Sequence, residues 1–239
     1  MARQDRAIRT RQAIVIGAAR VFDEVGYEAA TISEVLSRSG VTKGALYFHF
    51  ASKEEIAQEV LAQQVAAVPP IPKRDLLLQE AVDRALVLSY LIGGLRDPLV
   101  RGSIRLTVEQ GMLLGVLDRR MPVQEWVDFS ASIFREAKAR GEIFPHIDED
   151  SIAKLFVGSF TGVQMLSSIM TDHADMTERT AVLYRQLMAT IAVPSVLVRL
   201  EIVPERAARV YEEAVRLRPE TEAESEAESE AEAEVARAS

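Results

Sequence analysis

No cysteine occurs in the 239 residues. That excludes disulfides, thiolate metal sites and a cysteine nucleophile, and it fits a reducing compartment. Aromatic residues make up only 6% of the chain, with a single tryptophan, Trp126. The only histidines are His49, His146 and His173, too scattered for an obvious catalytic cluster. His146 with Asp148 and Asp150 has some metal-ligand character, but FPHIDED reads better as a loop running into a helix start. No catalytic residue, metal or cofactor is therefore expected. No segment alternates apolar and polar residues at strand spacing, so strands are not predicted. The N-terminal Arg3, Arg6, Arg9 and Arg11 are followed by no apolar run long enough for a signal peptide or membrane span, so a cytosolic location is expected.

Positive charge is also in short supply: 28 Lys and Arg stand against 36 Asp and Glu, a net charge of −8. Its distribution matters more than its sum. Residues 1–53 hold eight basic and five acidic side chains, or +3, whereas residues 220–239 hold eight glutamates and Arg237, or −7. The N-terminal part keeps the sign a phosphate surface requires. The tail, TEAESEAESEAEAEVARAS after Glu220, has like charges and no apolar anchor, so residues 218–239 are expected to be disordered.

What is present is helix. Nearly half the chain, 48%, is apolar, enough for a sizeable core. Ile14, Ala18, Val21, Phe22 and Val25 fall on one helical face, which Gly26 ends. Thr31 and Glu34 form a capping box before Ile32, Val35 and Leu36, and Gly40 stops that helix. Thr42 caps a short third helix. Ser52 and Glu55 form a second capping box, opening a longer helix through Ile56, Val60 and Val65 toward Pro69, Pro70 and Pro72. Beyond the prolines, helices are predicted over 76–95, 99–114, 123–140 and 151–171. Another is capped by Asp175 and Glu178 and stops near Val193, before Pro194, and the last spans 204–217. The fold class is all-α.

The second and third helices, joined by the turn at Gly40–Thr42, form a helix-turn-helix, whose second helix enters the DNA major groove. That helix spans about 10 Å, comparable to the groove's width of about 12 Å. Its N-terminal N–H groups and the Thr42 hydroxyl suit phosphate, and Lys43 suits guanine O6 and N7. Gly44 and Ala45 allow close backbone approach to bases. Leu46 and Phe50 face the core, leaving Tyr47, Phe48 and His49 outward, with Lys53 as a further phosphate contact.

The run TKGALYFHF closely resembles the recognition helix of TetR-family repressors, in particular their γ-butyrolactone receptor branch. The resemblance is highly specific over residues 8–56. It continues more loosely to Leu217 through DRRMPVQEWVDF, GEIFPHID, VGSFTGVQ and IAVPSVL. It implies DNA contacts from Thr31, Thr42, Lys43, Gly44, Ala45, Tyr47, Phe48, His49 and Lys53. It also implies a homodimer on a pseudo-palindromic operator, because one two-turn helix reads too few base pairs to be selective.

The resemblance divides the chain into a helix-turn-helix DNA-binding domain at 1–53, a helical-bundle ligand-binding and dimerisation domain at 54–217, and the acidic tail at 218–239. Gly158 and Gly162, with Phe156, Phe160 and Val163 around them and Val182, Leu183, Leu187 and Ile191 on the next helix, suit a four-helix dimer interface. The alternative is that these glycines seat the helix within its own subunit. A lone tryptophan is usually core, but the family's matching tryptophan lines the ligand pocket, so Trp126 is assigned there. Gln64, Thr107, Thr161 and Gln164 are its polar partners, amid Leu86, Ile104 and Val157. The implied effector is an uncharged γ-butyrolactone or butenolide-type signal controlling antibiotic genes. The alternative is a pseudo-receptor or drug sensor answering an antibiotic or a biosynthetic intermediate.

Overall fold

The computed structural model describes residues 2–108, 117–118 and 120–217, with the backbone alone for 2–5. The acidic tail at 218–239 and the end of the helix predicted over 99–114 lie outside the described residues. Every named element is a helix, and the only pairing of strand type among the described residues is an isolated bridge between Ile143 and Ala192. The chain divides into two compact units.

The first unit takes residues up to Ala67 together with 98–119. It contains α1 (Ala2–Ala29), α2 (Ile32–Ser39), α3 (Lys43–His49), α4 (Lys53–Ala62) and α6 (Pro98–Val108). Gly26 breaks α1 with φ 79°, a value glycine adopts without penalty, so the last residues of α1 turn toward α2. The Thr31–Glu34 capping box is fully formed. Gly40, at φ 67°, closes α2 in the left-handed conformation. The core gathers Ile14, Ala18, Phe22, Val35, Leu46, Phe50, Ile56 and Val60 with Leu106 of α6.

The grouping of α6 with α1–α4 is not visible in its sequence. Gly102 explains it: a Cβ there would lie 2.3 Å from the Ala19 carbonyl oxygen, so only glycine lets the two backbones approach this closely. Buried Arg101 adds an ion pair to Asp23 at 2.9 Å. Helix α4 is shorter than predicted and gives way to turns after Ala62. Pro69 and Pro70 have no N–H to donate to the carbonyls of Val65 and Ala66, and Pro69 disfavours helical geometry at Val68.

The second unit takes 68–97 and 120–216. It contains α5 (Leu77–Gly93), α7 (Arg120–Ala139), α8 (Glu149–Thr171), α9 (Met176–Ile191), α10 (Pro194–Leu197) and α11 (Arg206–Arg216). Its core is an aromatic ladder, Phe134–Phe156–Tyr184, with ring centroids 4.9 and 5.3 Å apart, surrounded by Leu78, Val82, Leu86 and Met188. Burial pushes the Tyr184 phenol well above its ordinary range. Fully buried Asp83 accepts hydrogen bonds from Arg74 at 2.8 Å and from Arg206 at 2.5 and 2.9 Å, tying α5 to α11. Leu76 supplies no side-chain cap for α5. Buried Glu142 substitutes, accepting from the amides of Leu77 and Leu78 at 3.0 and 2.9 Å.

Three local expectations change here. Asp175 does not cap α9. Its carboxylate accepts from the Ser167 and Thr171 hydroxyls at 2.6 and 2.8 Å and from Arg179 at 2.6 Å, and makes no side-chain hydrogen bond to the helix end. Helix α9 stops before Pro194 as expected, at Ile191, but Pro194 then starts a short α10 that was not predicted, its fixed φ suiting a first helical position. Phe156 and Ile191, read as interface residues, are core, because both point into the aromatic layer.

Candidate nucleic-acid interface and ligand site

Helix α3 is held from beneath by two anchors four residues apart, Leu46 and Phe50, both buried as the spacing predicts. The Arg11 guanidinium lies 4.8 Å from the centre of the Phe50 ring and makes a two-point ion pair with Glu59 at 2.5 and 2.8 Å. The Arg11 hydrogen bond holds the Glu59 carboxyl below its ordinary range. This clasp joins α1, the end of α3 and α4 and fixes how α3 is presented. Sequence reasoning missed it, because nothing at a separation of 48 residues signals the pair.

With those anchors inward, the opposite face of α3 is exposed. Lys43, Gly44, Tyr47 and Phe48 are in solvent, Phe48 at 80% exposure, while Ala45 and His49 are half-buried. The His49 imidazole packs edge-on against Phe48 at 5.1 Å. A Cβ at Gly44 would meet nothing within 4 Å, so no internal packing requires glycine there. The Thr42 oxygen accepts from the Ala45 amide at 3.2 Å. The amides of Lys43 and Gly44 remain at the open helix end. Exposed Thr31 uses its hydroxyl proton on Glu34 at 2.7 Å, so its oxygen faces the surface without a spare donor.

Lys53 has partners inside the unit. Read from sequence as a phosphate contact, it is half-buried and committed inside the unit. Its ammonium donates to the carbonyls of Tyr27 at 2.8 Å and Ala30 at 2.9 Å and lies 4.4 Å from the centre of the Tyr27 ring. Those carbonyls lie at and just after the end of α1, beyond the Gly26 break. Lys53 therefore positions α4 against the end of α1.

The expected ligand residues fall in both units. Gln64, Ile104 and Thr107 belong to the first, and Leu86, Trp126, Val157, Thr161 and Gln164 to the second. Ile104 and Leu86 are buried core residues. Thr107 and Thr161 donate their hydroxyl protons to the carbonyls of Ser103 and Val157, at 2.8 and 2.9 Å, and keep only acceptor capacity. The amides of Gln64 and Gln164, both largely buried, make no side-chain hydrogen bond among the described residues. Trp126 is half-buried beside Phe129 on the same face of α7, with ring centroids 6.5 Å apart.

Helix α8 has two faces. Ala153, Phe156, Gln164 and Ser167 point inward, while Leu155, Met165, Leu166, Ile169 and Met170 are exposed, Ile169 at 75%. A Cβ at Gly158 or Gly162 would meet nothing within 4 Å, so these glycines do not seat the helix within its own subunit. They lie on the exposed apolar side with Val182 of α9.

Residues 14–60 match the sequence profile of bacterial regulatory proteins of the tetR family. The chain is 40% identical over 220 residues to the A-factor receptor protein of Streptomyces griseus, covering 90% of this chain and 76% of that protein. Its fold superposes with a TM-score of 0.83 on TylP, a TetR regulator of Streptomyces fradiae. That pair shares 54% identity, covering 89% of this chain and all of the other. It matches a solved γ-butyrolactone receptor, described as ArpA-like, at 29% identity and a TM-score of 0.63, covering 87% of this chain and 99% of that one.

Proposed function

The chain belongs to the TetR family of bacterial regulatory proteins, within its γ-butyrolactone receptor branch, and from that membership we propose that it is a ligand-released transcriptional repressor of antibiotic genes. It acts in the cytoplasm as a homodimer on a pseudo-palindromic operator, with one α3 in each half-site. The observation that carries this reading is the exposed face of α3, which presents Lys43, Tyr47 and Phe48 above the buried anchors Leu46 and Phe50. Lys43, Gly44 and Ala45 read base edges. Thr31, Thr42, Tyr47, Phe48 and His49 position the helix on phosphate and sugar. The exposed apolar side of α8, with Gly158, Gly162 and Ile169, supplies the dimer contact, since a face this apolar gains by burial.

The effector is a small γ-butyrolactone or butenolide-type molecule that engages Trp126, with Thr161 and Gln164 of α8 as polar contacts. The Gln164 amide, which makes no side-chain hydrogen bond among the described residues, and the half-buried indole support that assignment. The half-sites of an operator have fixed spacing, so an effector that changes the separation of the two recognition helices weakens binding. Release by tenfold to a hundredfold requires about 1.4 to 2.8 kcal/mol of differential affinity.

A gel shift on the DNA upstream of the protein's own coding sequence, titrated with synthetic butyrolactones and butenolides, tests this reading. Wild-type protein is expected to bind and be released. Trp126→Ala is expected to bind equally and resist release. Failure of every compound to release the wild type, or equal loss of DNA binding in Trp126→Ala, contradicts the assignment.

A further inference from the structure

The chain passes into α7 from a point that is fixed on α4. Leu117 is buried in the core of the first unit. Asp118 follows, and the half-buried Gln58 side chain of α4 holds its backbone in both directions. The Gln58 amide nitrogen donates to the Asp118 carbonyl at 3.1 Å, and the Gln58 oxygen accepts from the Asp118 N–H at 3.0 Å. A side-chain amide presents a donor and an acceptor as a peptide group does, which is what a two-point clasp on one residue's backbone requires.

The clasp stands between the effector helix and the reading helix along the chain. Helix α7 starts at Arg120, so Arg119 alone separates it from Asp118, two steps of about 3.8 Å each. Trp126 lies six residues into that helix, about 9 Å along its axis. The chain also joins α4 to α5, but through the whole of residues 63–76. Beside Gln58, Glu59 pairs with Arg11, whose guanidinium lies over the Phe50 ring at the end of α3. Ile56, Ala57, Val60 and Leu61 are fully buried beneath α4, so a pull at Gln58 shifts the helix as one piece.

We infer, resting on the assignment of Trp126 to the effector site, that Gln58 is a positioning residue for release: it hands a displacement of α7 to α4, and Glu59 and Arg11 carry it on to α3. Gln58 belongs to neither the DNA-reading face nor the effector contacts. Loss of its clasp therefore shows in the coupling between the two sites and not in either binding step alone.

Full-length wild type, Gln58→Met and Gln58→Glu are compared, with circular dichroism as the check on folding. Methionine keeps the length and helix preference without either hydrogen bond, and glutamate keeps the acceptor alone. Affinity for a labelled operator is measured by fluorescence anisotropy with and without 2-octanoyl-3-hydroxymethyl-γ-butyrolactone, and in parallel with the butenolide 5-octylfuran-2(5H)-one. Fluorescence of Trp126, the only tryptophan, gives the affinity for each probe.

A probe that perturbs Trp126 is expected to weaken wild-type operator binding by about tenfold or more. Gln58→Met is expected to bind operator alone and probe alone within about twofold of wild type, yet to be released by less than about threefold, with Gln58→Glu intermediate. Undiminished release in a folded Gln58→Met overturns the inference while leaving the effector site in place. A changed operator affinity with the release ratio preserved makes Gln58 structural alone and overturns it too. If neither probe perturbs Trp126 or releases the wild type, the effector-site assignment fails, and the inference with it. Should Gln58→Met fail to fold, the release ratio of Gln58→Glu decides the matter.

Discussion

Replacing Lys53 by methionine separates two roles that the sequence alone confuses. Methionine preserves the apolar stem but removes an ammonium that donates to the Tyr27 and Ala30 carbonyls at 2.8 and 2.9 Å and sits over the Tyr27 ring. Hydrogen bonds from a charged donor contribute about 1.5 to 3 kcal/mol each, and a partly exposed cation–π contact about 0.5 to 1. Water admitted beside half-buried Lys53 once the ammonium is gone recovers some of that loss. A net destabilisation of about 2 to 3 kcal/mol follows, or a fall of about 4 to 12 °C in melting temperature for a chain of this size. The second readout is operator affinity against salt. A phosphate-contacting lysine contributes about 0.9 to the slope of log K against log salt, and its removal makes that slope shallower by as much. Lys53→Met is expected to melt earlier while leaving the slope unchanged. Unchanged melting with a slope shallower by about one would restore the phosphate contact and refute the structural assignment.

Two further consequences concern the second unit. Asp83→Asn leaves Arg74 and Arg206 converging on a neutral amide in a fully buried position. The expected cost is about 3 to 5 kcal/mol, read from urea unfolding by circular dichroism, and a loss below about 1 kcal/mol would contradict the network's role. Asp175 is held at about 2, against an ordinary value of 3.8, first by the Ser167 hydroxyl and then by Thr171 and Arg179. A depressed acid stabilises the fold above its unfolded value, and that contribution is lost as pH falls from 3.8 toward 2. Asp175→Asn should therefore flatten the pH dependence of stability in that window. A native carboxyl titrating near 3.8 by NMR is the contrary result.

The parts of the fold legible in the sequence are those specified within one helical turn. The Thr31–Glu34 box, the left-handed Gly40, the Thr42 cap and the inward spacing of Leu46 and Phe50 are all local, and the structure contains each of them. What was not legible depends on partners distant in the chain. Glu142 caps α5 from 65 residues away. Arg11 meets Glu59 across 48 residues, and Gly102 admits α6 against Ala19. Lys53 and Asp175 show a subtler limit: each has the residue type its expected role requires, but other partners are nearer. The candidate DNA-reading face was legible because it lies on one short helix.

The central claim, that α3 reads base sequence, is tested most directly by the affinity of Lys43→Ala for operator and for random duplex at one salt concentration, by fluorescence anisotropy. Loss of a two-point contact to guanine removes about 1 to 3 kcal/mol of discrimination, so the ratio of the two affinities should fall by roughly fivefold to 150-fold while random binding changes little. Equal weakening on both duplexes, with the ratio preserved, would make Lys43 a phosphate contact and contradict the account.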